Sequence, residues 1–241
     1  IYIKKIKAIN HKIYFIGKFS KGISKRNTIS KLIKILDIKK ILNNQKFEIK
    51  IIKNIPQQSG MGGGSMNVAS LVNYFKKNKI IKINKKDILN IINSISSDAL
   101  LGMSKNNTIL SSNGNVKRFK KKLNYYVLIV KPNFGCSTKL IYSAVKNFSR
   151  SQYNIPKKIL FNEKNILKSR NDLEDIAFYK YPQLKKIKFF LSNLPNIIFV
   201  RMTGSGSSIV GYFRSKKALN AAARLFNKEY NGYWYIKSKT I

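Results

Sequence analysis

The sequence predicts an α+β fold in two domains, residues 1–122 and 123–241. The chain has 241 residues, which is enough for two hydrophobic cores of modest size. Segments with helical spacing and segments with strand-like spacing are mixed along it without strict strand–helix–strand alternation, which is typical of the α+β class. Residues 111–122 are polar and basic, and we interpret them as the linker between the domains.

Hydrophobic periodicity places the elements of the first domain in order. An N-cap at Asn27 or Thr28 precedes the first helix, and Asn84 with Asp87 forms a partial capping box before the third. Apolar and polar residues alternate from Phe47 to Ile51, as in a half-buried strand. The sequence predicts strands at residues 13–16 and 47–51, and helices at residues 29–36, 68–75 and 88–95.

The second domain is predicted by the same patterns. Residues 172–190 are a mixture of helix and loop that is interrupted at Pro182. A Gly/Ser turn is predicted at residues 203–208, between two apolar runs. The remaining elements are strands at residues 126–130, 197–200, 209–213 and 233–236, and an amphipathic helix at residues 218–226.

The net charge is strongly positive. Lys and Arg number 48 against nine Asp and Glu, which gives +39 at pH 7, while 44% hydrophobic residues argue against intrinsic disorder. Such a charge would attract nucleic acid. Lys, Asn and Ile share A/T-rich codons, however, and the basic residues are spread along the chain. Coding bias is therefore the interpretation that we favour, and no specific nucleic-acid partner is predicted.

The cysteine and histidine content excludes several kinds of site. Cys136 is the only cysteine, so an internal disulfide is impossible and a reducing compartment such as the bacterial cytoplasm is expected. With one histidine, His11, the usual zinc constellations are excluded, and no metal ligand is predicted. We expect His11 to be a surface turn residue. No apolar run approaches the roughly 18 residues of a membrane-spanning helix, and no membrane association is predicted.

A glycine-rich segment lies between a predicted strand and a predicted helix. Glycines allow the main chain to approach a ligand, and the start of a helix offers unpaired N–H groups to an anion. A phosphate cradle is therefore one interpretation, and a flexible turn is the other. The segment lacks the Gly-Lys-Ser/Thr of a Walker A loop. It comprises Pro56, Gln57, Gln58, Ser59, Gly60, Met61, Gly62, Gly63, Gly64, Ser65 and Met66.

This segment resembles the Pro-x3-Gly-Leu-Gly-Gly-Gly-Ser-Ser-Asn-Ala-Ala signature of the GHMP kinases. Four later stretches, in order, are similar to further motifs of that family. The similarity extends over nearly the whole chain, and the ordered set is more specific than the glycine loop alone. The later stretches are residues 95–98, 131–138, 171–174 and 202–206.

The resemblance implies a two-domain GHMP kinase fold, with a ribosomal-protein-like ATP-binding domain followed by a ferredoxin-like domain. It implies a small-molecule kinase that transfers the γ-phosphoryl group of ATP, with Mg²⁺, to the 2-hydroxyl of 4-diphosphocytidyl-2-C-methyl-D-erythritol in isoprenoid precursor synthesis. The alternatives are another GHMP small-molecule kinase, a kinase-like protein that binds nucleotide without turnover, or a basic RNA-associated protein. A monomer or a homodimer is expected.

The same resemblance assigns roles to individual residues. The glycine loop would hold the phosphates of ATP, and Asp98 would accept or orient the proton of the attacking hydroxyl. Thr138 would contact the cytidyl substrate and Tyr142 would stack on its base. Thr203, Gly204, Ser205 and Gly206 would form a second glycine loop beside the substrate. The alternatives are a helix-end cap for Asp98, core packing for Tyr142 and a simple turn for the second loop.

The sequence departs from the family pattern in two places. Met66 and Val68 replace smaller family residues, and Gln57 to Ser59 stand where many relatives have Met and Gly. The family's first strand, whose Lys is catalytic, and its Asp-Gly-Tyr-His segment have no counterpart in the chain. We therefore expect that these segments lie upstream of Ile1 in the intact protein and that residues 1–241 alone are poorly active.

Overall fold

The computed structural model describes residues 1–111, 114–120, 123–150, 157 and 162–240. The chain forms two compact units: Ile1–Pro56 with Gly62–Lys105, and Gln57–Met61 with Asn106–Ile241. The glycine-rich segment is thus divided, because its residues 57–61 belong to the second unit. The boundary after residue 122 stays a prediction, and residues 121–122 lie outside the described residues.

The first unit contains a three-stranded sheet. Its strands are β1 (Tyr2–Ile6), β2 (Lys12–Ile16) and β3 (Lys46–Ile52), in the order β1-β3-β2. The central strand, β3, is antiparallel to β1 and parallel to β2. A parallel pair needs a crossover connection, which helix α1 (Thr28–Ile38) supplies. Alternation along β3 buries Phe47, Ile49 and Ile51 on one face, as predicted.

Three α-helices and one 3₁₀ helix complete the core of this unit. Asn27 caps α1 by accepting from the main-chain N–H groups of Ile29 and Ser30, which confirms the predicted cap. Helix α2 (Gly63–Lys77) follows the glycine segment, and α3 (Lys85–Ile95) is capped by Asn84. A 3₁₀ helix, Ser97–Met103, then packs against α2. These elements bury the apolar stripes that the periodicity predicts, including Leu32, Leu36, Val68, Leu71, Val72, Phe75, Ile88 and Ile92.

The second unit begins with a hairpin where the sequence predicts a linker. Strand β4 (Asn107–Leu110) pairs antiparallel with β5 (Val116–Phe119). Residues 112–113 and 121–122 of the predicted linker lie outside the described residues. Within the rest, β5 makes the linker interpretation wrong. The strand is four residues long and half basic, so its sequence carries little apolar signal, and its partner strand supplies the ladder that stabilises it.

A four-stranded antiparallel sheet is the centre of the second unit. Its strands are β6 (Tyr126–Lys131), β7 (Ile197–Met202), β8 (Ile209–Phe213) and β9 (Trp234–Lys239), in the order β7-β8-β6-β9. Helices lie between β6 and β7 and between β8 and β9, which is the ferredoxin-like order that the family resemblance implies. The helices are α4 (Thr138–Ser143), α5 (Glu163–Lys168), α6 (Glu174–Lys180), α7 (Pro182–Ser192) and α8 (Lys216–Glu229).

The core of the second unit lies between this sheet and its helices. It contains Leu128 and Val130 of β6, Phe213 of β8 and the apolar faces of α7 and α8, of which Leu191 and Phe226 are fully buried. Among the helices described, none has both the length and the apolar character needed to cross a lipid bilayer.

His11 is not the surface turn residue that its Asn-His-Lys context predicts. Only 6% of its side chain is exposed, and it connects two elements of the first unit. Its Nε2 lies 3.1 Å from a carboxylate oxygen of Asp37 on α1, and its Nδ1 accepts a hydrogen bond from the main-chain N–H of Phe47 on β3. Both partners are more than 25 positions away in sequence, so local context could not reveal them.

Candidate functional site

The second half of the glycine segment forms the start of helix α2. Gly62 takes a left-handed conformation (φ 61°), and the helix begins at Gly63. No side chain among the described residues caps this helix, and its first turn contains no acidic residue. The free N–H groups and the positive end of the helix dipole therefore remain available to an anion. Thr28 Oγ1 donates to the Gly64 carbonyl and holds this turn against α1.

Lys53 is a residue of this region that sequence reasoning missed. It directly follows β3, and its Nζ lies 3.7 Å from the position that a Cβ would occupy on Gly63. Burial lowers the pKa of the Lys53 ammonium. A half-buried cation beside an uncapped helix start supplies a point charge for a phosphate group. The spacing Lys-x2-Pro before the glycines is the only available sequence signal, and it is weak in a chain this rich in lysine.

Asp98 lies close in sequence to a residue that contacts the first turn of α2. The hydroxyl groups of Ser65 on α2 and Ser96 are 2.8 Å apart, and Asp98 follows two residues later in the first turn of the 3₁₀ helix. Ser96, not Asp98, occupies the N-cap position of that helix. The Asp98 side chain is exposed. Within the first unit, the fold therefore brings the Asp98 turn, the start of α2 and Lys53 into one region.

The first half of the glycine segment packs on the second glycine loop, Thr203–Ser207, within the second unit. Thr203 Oγ1 donates to the Gly60 carbonyl over 3.1 Å, and the main-chain N–H of Ser207 donates to the Gln58 carbonyl over 3.3 Å. Gly60 has φ +68°, and a Cβ there would overlap the Thr203 carbonyl oxygen. The second loop is therefore more than a connection between β7 and β8, because it fixes the conformation of residues 58–60.

Thr138 and Ser205 meet in the same unit. The Thr138 Oγ1 and Ser205 Oγ atoms are 2.9 Å apart, which joins the start of α4 to the second glycine loop. Tyr142, one turn further along α4, is 52% exposed, whereas Ile141 is fully buried. Core packing is therefore wrong as an explanation of Tyr142, whose ring is available to a ligand.

A buried lysine supports the segment that leads to Thr138. Lys131 is 5% exposed, and its Nζ donates to the carbonyls of Pro132 (3.0 Å) and Phe134 (2.7 Å). Ser207 Oγ donates to the same Phe134 carbonyl over 2.8 Å. Burial lowers the pKa of Lys131, and the neighbouring Cys136 thiol opposes that shift. Lys131 thus ties this segment to the end of β6, a role that the sequence analysis did not assign.

Among the residues that the structure describes, no group of three or more His, Cys, Asp or Glu side chains is arranged to hold a metal ion. Asp98 is an acidic residue of the α2 region, and the start of α2 itself offers main-chain N–H groups and a nearby lysine, Lys53. This arrangement can bind phosphate oxygens, and it offers one carboxylate to a cation that such a ligand carries.

Comparison with known proteins agrees with this geometry. Residues 27–107 match the family model described as GHMP kinases N terminal domain, and residues 144–232 match GHMP kinases C terminal. The chain is 59% identical over 231 residues to a 4-diphosphocytidyl-2-C-methyl-D-erythritol kinase of Pelagibacter ubique, covering 96% of this chain and 82% of the relative. A kinase of the same name from Petrotoga mobilis is 31% identical over 76% of this chain and 74% of its own length.

Solved structures give the same fold. A crystal structure of 4-(cytidine 5'-diphospho)-2C-methyl-D-erythritol kinase superposes with a TM-score of 0.75 at 17% identity, covering 98% of this chain and 84% of that one. A homoserine kinase from Cytophaga hutchinsonii superposes with a TM-score of 0.72 at 16% identity, covering 99% and 84%. On the family models and the identity to the curated relatives, the chain belongs to the GHMP kinases, in the group of the 4-diphosphocytidyl-2-C-methyl-D-erythritol kinases.

Proposed function

We propose that this protein transfers the γ-phosphoryl group of ATP to the 2-hydroxyl of 4-diphosphocytidyl-2-C-methyl-D-erythritol. The observation that carries the phosphoryl-transfer proposal is the uncapped glycine start of α2 with the Lys53 ammonium beside it. The choice of acceptor rests on the 59% identical relative, whose name specifies that substrate. The geometry at the start of α2 and the similarity to this relative are separate observations, and both support phosphoryl transfer from ATP.

The first unit would bind the triphosphate. Phosphoryl transfer depends on positioning and on stabilisation of charge at the transferred group. The N–H groups of residues 63–65 would donate to phosphate oxygens, and Lys53 would add a positive charge. The glycines at 62–64 keep side chains out of that space. A Cβ on Gly62 would meet nothing within 4 Å, one on Gly63 would lie 3.7 Å from Lys53 Nζ, and one on Gly64 would lie 3.2 Å from Thr28 Oγ1. Mg²⁺, when bound to the phosphates, would neutralise part of their charge.

Asp98 would act as the general base. A carboxylate that accepts or orients the proton of the attacking hydroxyl is the usual contribution of an acidic residue to this chemistry. Asp98 is exposed and lies on the turn that Ser96 holds against Ser65 at the start of α2. The turn that carries Asp98 therefore follows directly on a contact with the proposed phosphate cradle, which supports this role.

The second unit would bind the cytidyl group. The exposed Tyr142 ring offers a flat apolar face on which a pyrimidine base can stack. The exposed Thr138 hydroxyl, which the buried Ser205 hydroxyl holds at 2.9 Å, would donate to or accept from the base or the ribose. These two features select a substrate that carries a nucleobase and hydroxyls, as a cytidine diphosphate derivative does.

ADP release with Mg-ATP and the proposed substrate tests the reaction. The assay uses the 241-residue chain together with any sequence encoded upstream of it. Asp98→Asn is expected to lower kcat by about 10²- to 10⁴-fold while ATP binding, measured by calorimetry, is retained. Asp175→Asn, an exposed aspartate at the start of α6, is the matched control and should leave kcat unchanged.

Three results would each contradict part of the proposal. Turnover by Asp98→Asn at the rate of the unmodified protein would remove Asp98 from the mechanism. A higher kcat/KM with homoserine or mevalonate than with the cytidyl substrate would keep the kinase and overturn its proposed acceptor. Absence of ATP binding would overturn the phosphate-cradle interpretation itself.

A further inference from the structure

The segment Asn171–Glu174 matches a family motif, but none of the roles proposed above uses it. It lies directly before and at the start of α6, and the side chains of Asn171 and Glu174 both reach the end of β7. The Asn171 Nδ2 group donates to two main-chain carbonyls, of Met202 (3.0 Å) and of Gly204 (2.8 Å). Its Oδ1 accepts from the N–H of Leu173 at 3.1 Å. Two donors and one acceptor on a single short side chain are what an asparagine amide provides.

Glu174 binds the main-chain N–H of Met202, the same residue whose carbonyl accepts from Asn171. Its Oε1 accepts from the main-chain N–H of Met202 over 2.7 Å, while its Oε2 pairs with Lys188 Nζ at 2.5 Å. Met202 therefore has its carbonyl held by Asn171 and its N–H held by Glu174. Lys188 balances the charge of a carboxylate that is only 12% exposed. Both main-chain polar groups of Met202, the last residue before the second glycine loop, are thus hydrogen-bonded to side chains of this segment.

The held loop is itself bonded to the first half of the glycine segment. Thr203 Oγ1 donates to the Gly60 carbonyl, and the N–H groups of Ser207 and Ser208 donate to the carbonyls of Gln58 and Ser59. Gly204 has φ +53°, and a Cβ on it would lie 2.9 Å from the Gly60 carbonyl oxygen. The main chains of Gly204 and Gly60 are therefore packed closely together, and a displacement of Gly204 would disturb this packing.

We propose that Asn171 is a positioning residue of the kinase, which acts through the second glycine loop on residues 57–61 of the phosphate-binding segment. This inference rests on the proposed function, because it gives the glycine segment its role in holding ATP. Asn171 contacts neither the substrate nor the reacting atoms in this assignment. Its hydrogen bonds to the Met202 and Gly204 carbonyls fix the position of Gly204 in the second glycine loop. The hydrogen bond from Thr203 to Gly60 then fixes residues 57–61 relative to that loop.

The first experiment compares Asn171→Asp with the matched control Asn193→Asp. The aspartate at 171 keeps the acceptor for Leu173 but places a carboxylate against two carbonyl oxygens. Asn193 Nδ2 also donates to a carbonyl, of Phe189 at 2.8 Å, on α7 of the same unit and away from the loop. With ATP and the cytidyl substrate, kcat of Asn171→Asp is expected to fall about 10- to 100-fold, as for a misplacement of about 1 Å. Asn193→Asp should retain kcat, with a comparable fall in melting temperature.

A second readout does not depend on turnover. Amide hydrogen exchange, followed by mass spectrometry on the full chain, should accelerate in Asn171→Asp in peptides that contain residues 202–208 and 57–61. Thr203→Val keeps the shape but removes the donor to Gly60, so it should accelerate exchange at residues 57–61 with little change near Asn171. Asn171→Gln, which retains the amide on a longer arm, replaces the aspartate variant if that variant does not fold.

The outcomes separate this proposal from the proposed function. The positioning role would be overturned if hydrogen exchange in Asn171→Asp accelerated only at residues 170–175. It would also be overturned if kcat of Asn171→Asp fell no more than kcat of Asn193→Asp. If no variant and no unmodified protein phosphorylates the cytidyl substrate, the proposed function fails. The exchange pattern at residues 57–61 still decides the role of Asn171.

Discussion

The Thr203 hydroxyl donates a hydrogen bond over 3.1 Å to the main-chain carbonyl of Gly60, a residue 143 positions earlier in the chain. The contact joins the two glycine-rich turns that the sequence shows as separate motifs. It explains why both turns need glycine: the main chains approach so closely that a Cβ on either Gly60 or Gly204 would meet main-chain atoms of the other loop. Changes in either turn should therefore affect both.

Gly60→Ala should destabilise the protein more than a left-handed conformation alone explains. Gly232 has a similar φ of +85° with nothing within 4 Å of a Cβ, so Gly232→Ala should cost about 1–2 kcal/mol of unfolding free energy. Gly60→Ala adds an overlap with the Thr203 carbonyl and should cost more. Urea unfolding of both variants measures the difference. Equal losses would mean that the two loops separate at no cost.

Lys53→Met should raise thermal stability and weaken ATP binding. Burial lowers the pKa of Lys53, so the folded protein carries the charged form at a cost at neutral pH, and the apolar Met removes that cost. Contacts of a charged group with phosphate are worth about 1.5–3 kcal/mol, so the Kd for ATP should rise at least about tenfold. Lys50→Met, on the exposed face of β3, is the control and should change neither quantity. A lower melting temperature with unchanged ATP affinity would assign Lys53 to the fold alone.

Asp37→Asn should lose stability in a pH-dependent way. Burial raises the pKa of the Asp37 carboxyl, but hydrogen bonds from Lys46 and His11 outweigh burial, so its pKa lies below the ordinary value of 3.8. A carboxylate of this kind stabilises the fold above its unfolded pKa and loses that contribution as pH falls through the folded pKa. The difference in unfolding free energy from the unmodified protein should be roughly 1 kcal/mol near neutral pH. This difference should shrink below about pH 4. A difference in unfolding free energy that became larger as the pH falls would contradict a lowered pKa for Asp37.

Cys136 should not react with thiol reagents in the folded protein. Burial raises the pKa of its thiol to about 11, with Lys131 opposing the shift, and the side chain is buried. The thiolate is the reactive form, so almost none is present at pH 8. Incubation with a disulfide reagent should release no chromophore until urea unfolds the chain, and then one equivalent. Fast reaction under native conditions would show that the segment after β6 opens readily.

Sequence patterns predicted much of the fold because its elements follow local rules. The Asn27 cap, the alternation from Phe47 to Ile51 and the apolar stripe of α8 are each decided by residues within one element. Strand β5 was missed because Val116–Phe119 is short and basic and pairs only through β4. His11 was misread because Asp37 and Phe47 are distant in sequence.

The sequence by itself determined the α+β class and the order of the elements that it predicted, and it marked the glycine segment, because glycines before a helix leave main-chain N–H groups open to an anion. Only the tertiary structure distinguished Lys53 from the other lysines, by burying it beside Gly63. It also gave Asn171 and Glu174 their task, because two side chains can hold Met202 only after β7 and α6 have packed. Such contacts join residues that no local pattern relates, so they exist only in the folded chain.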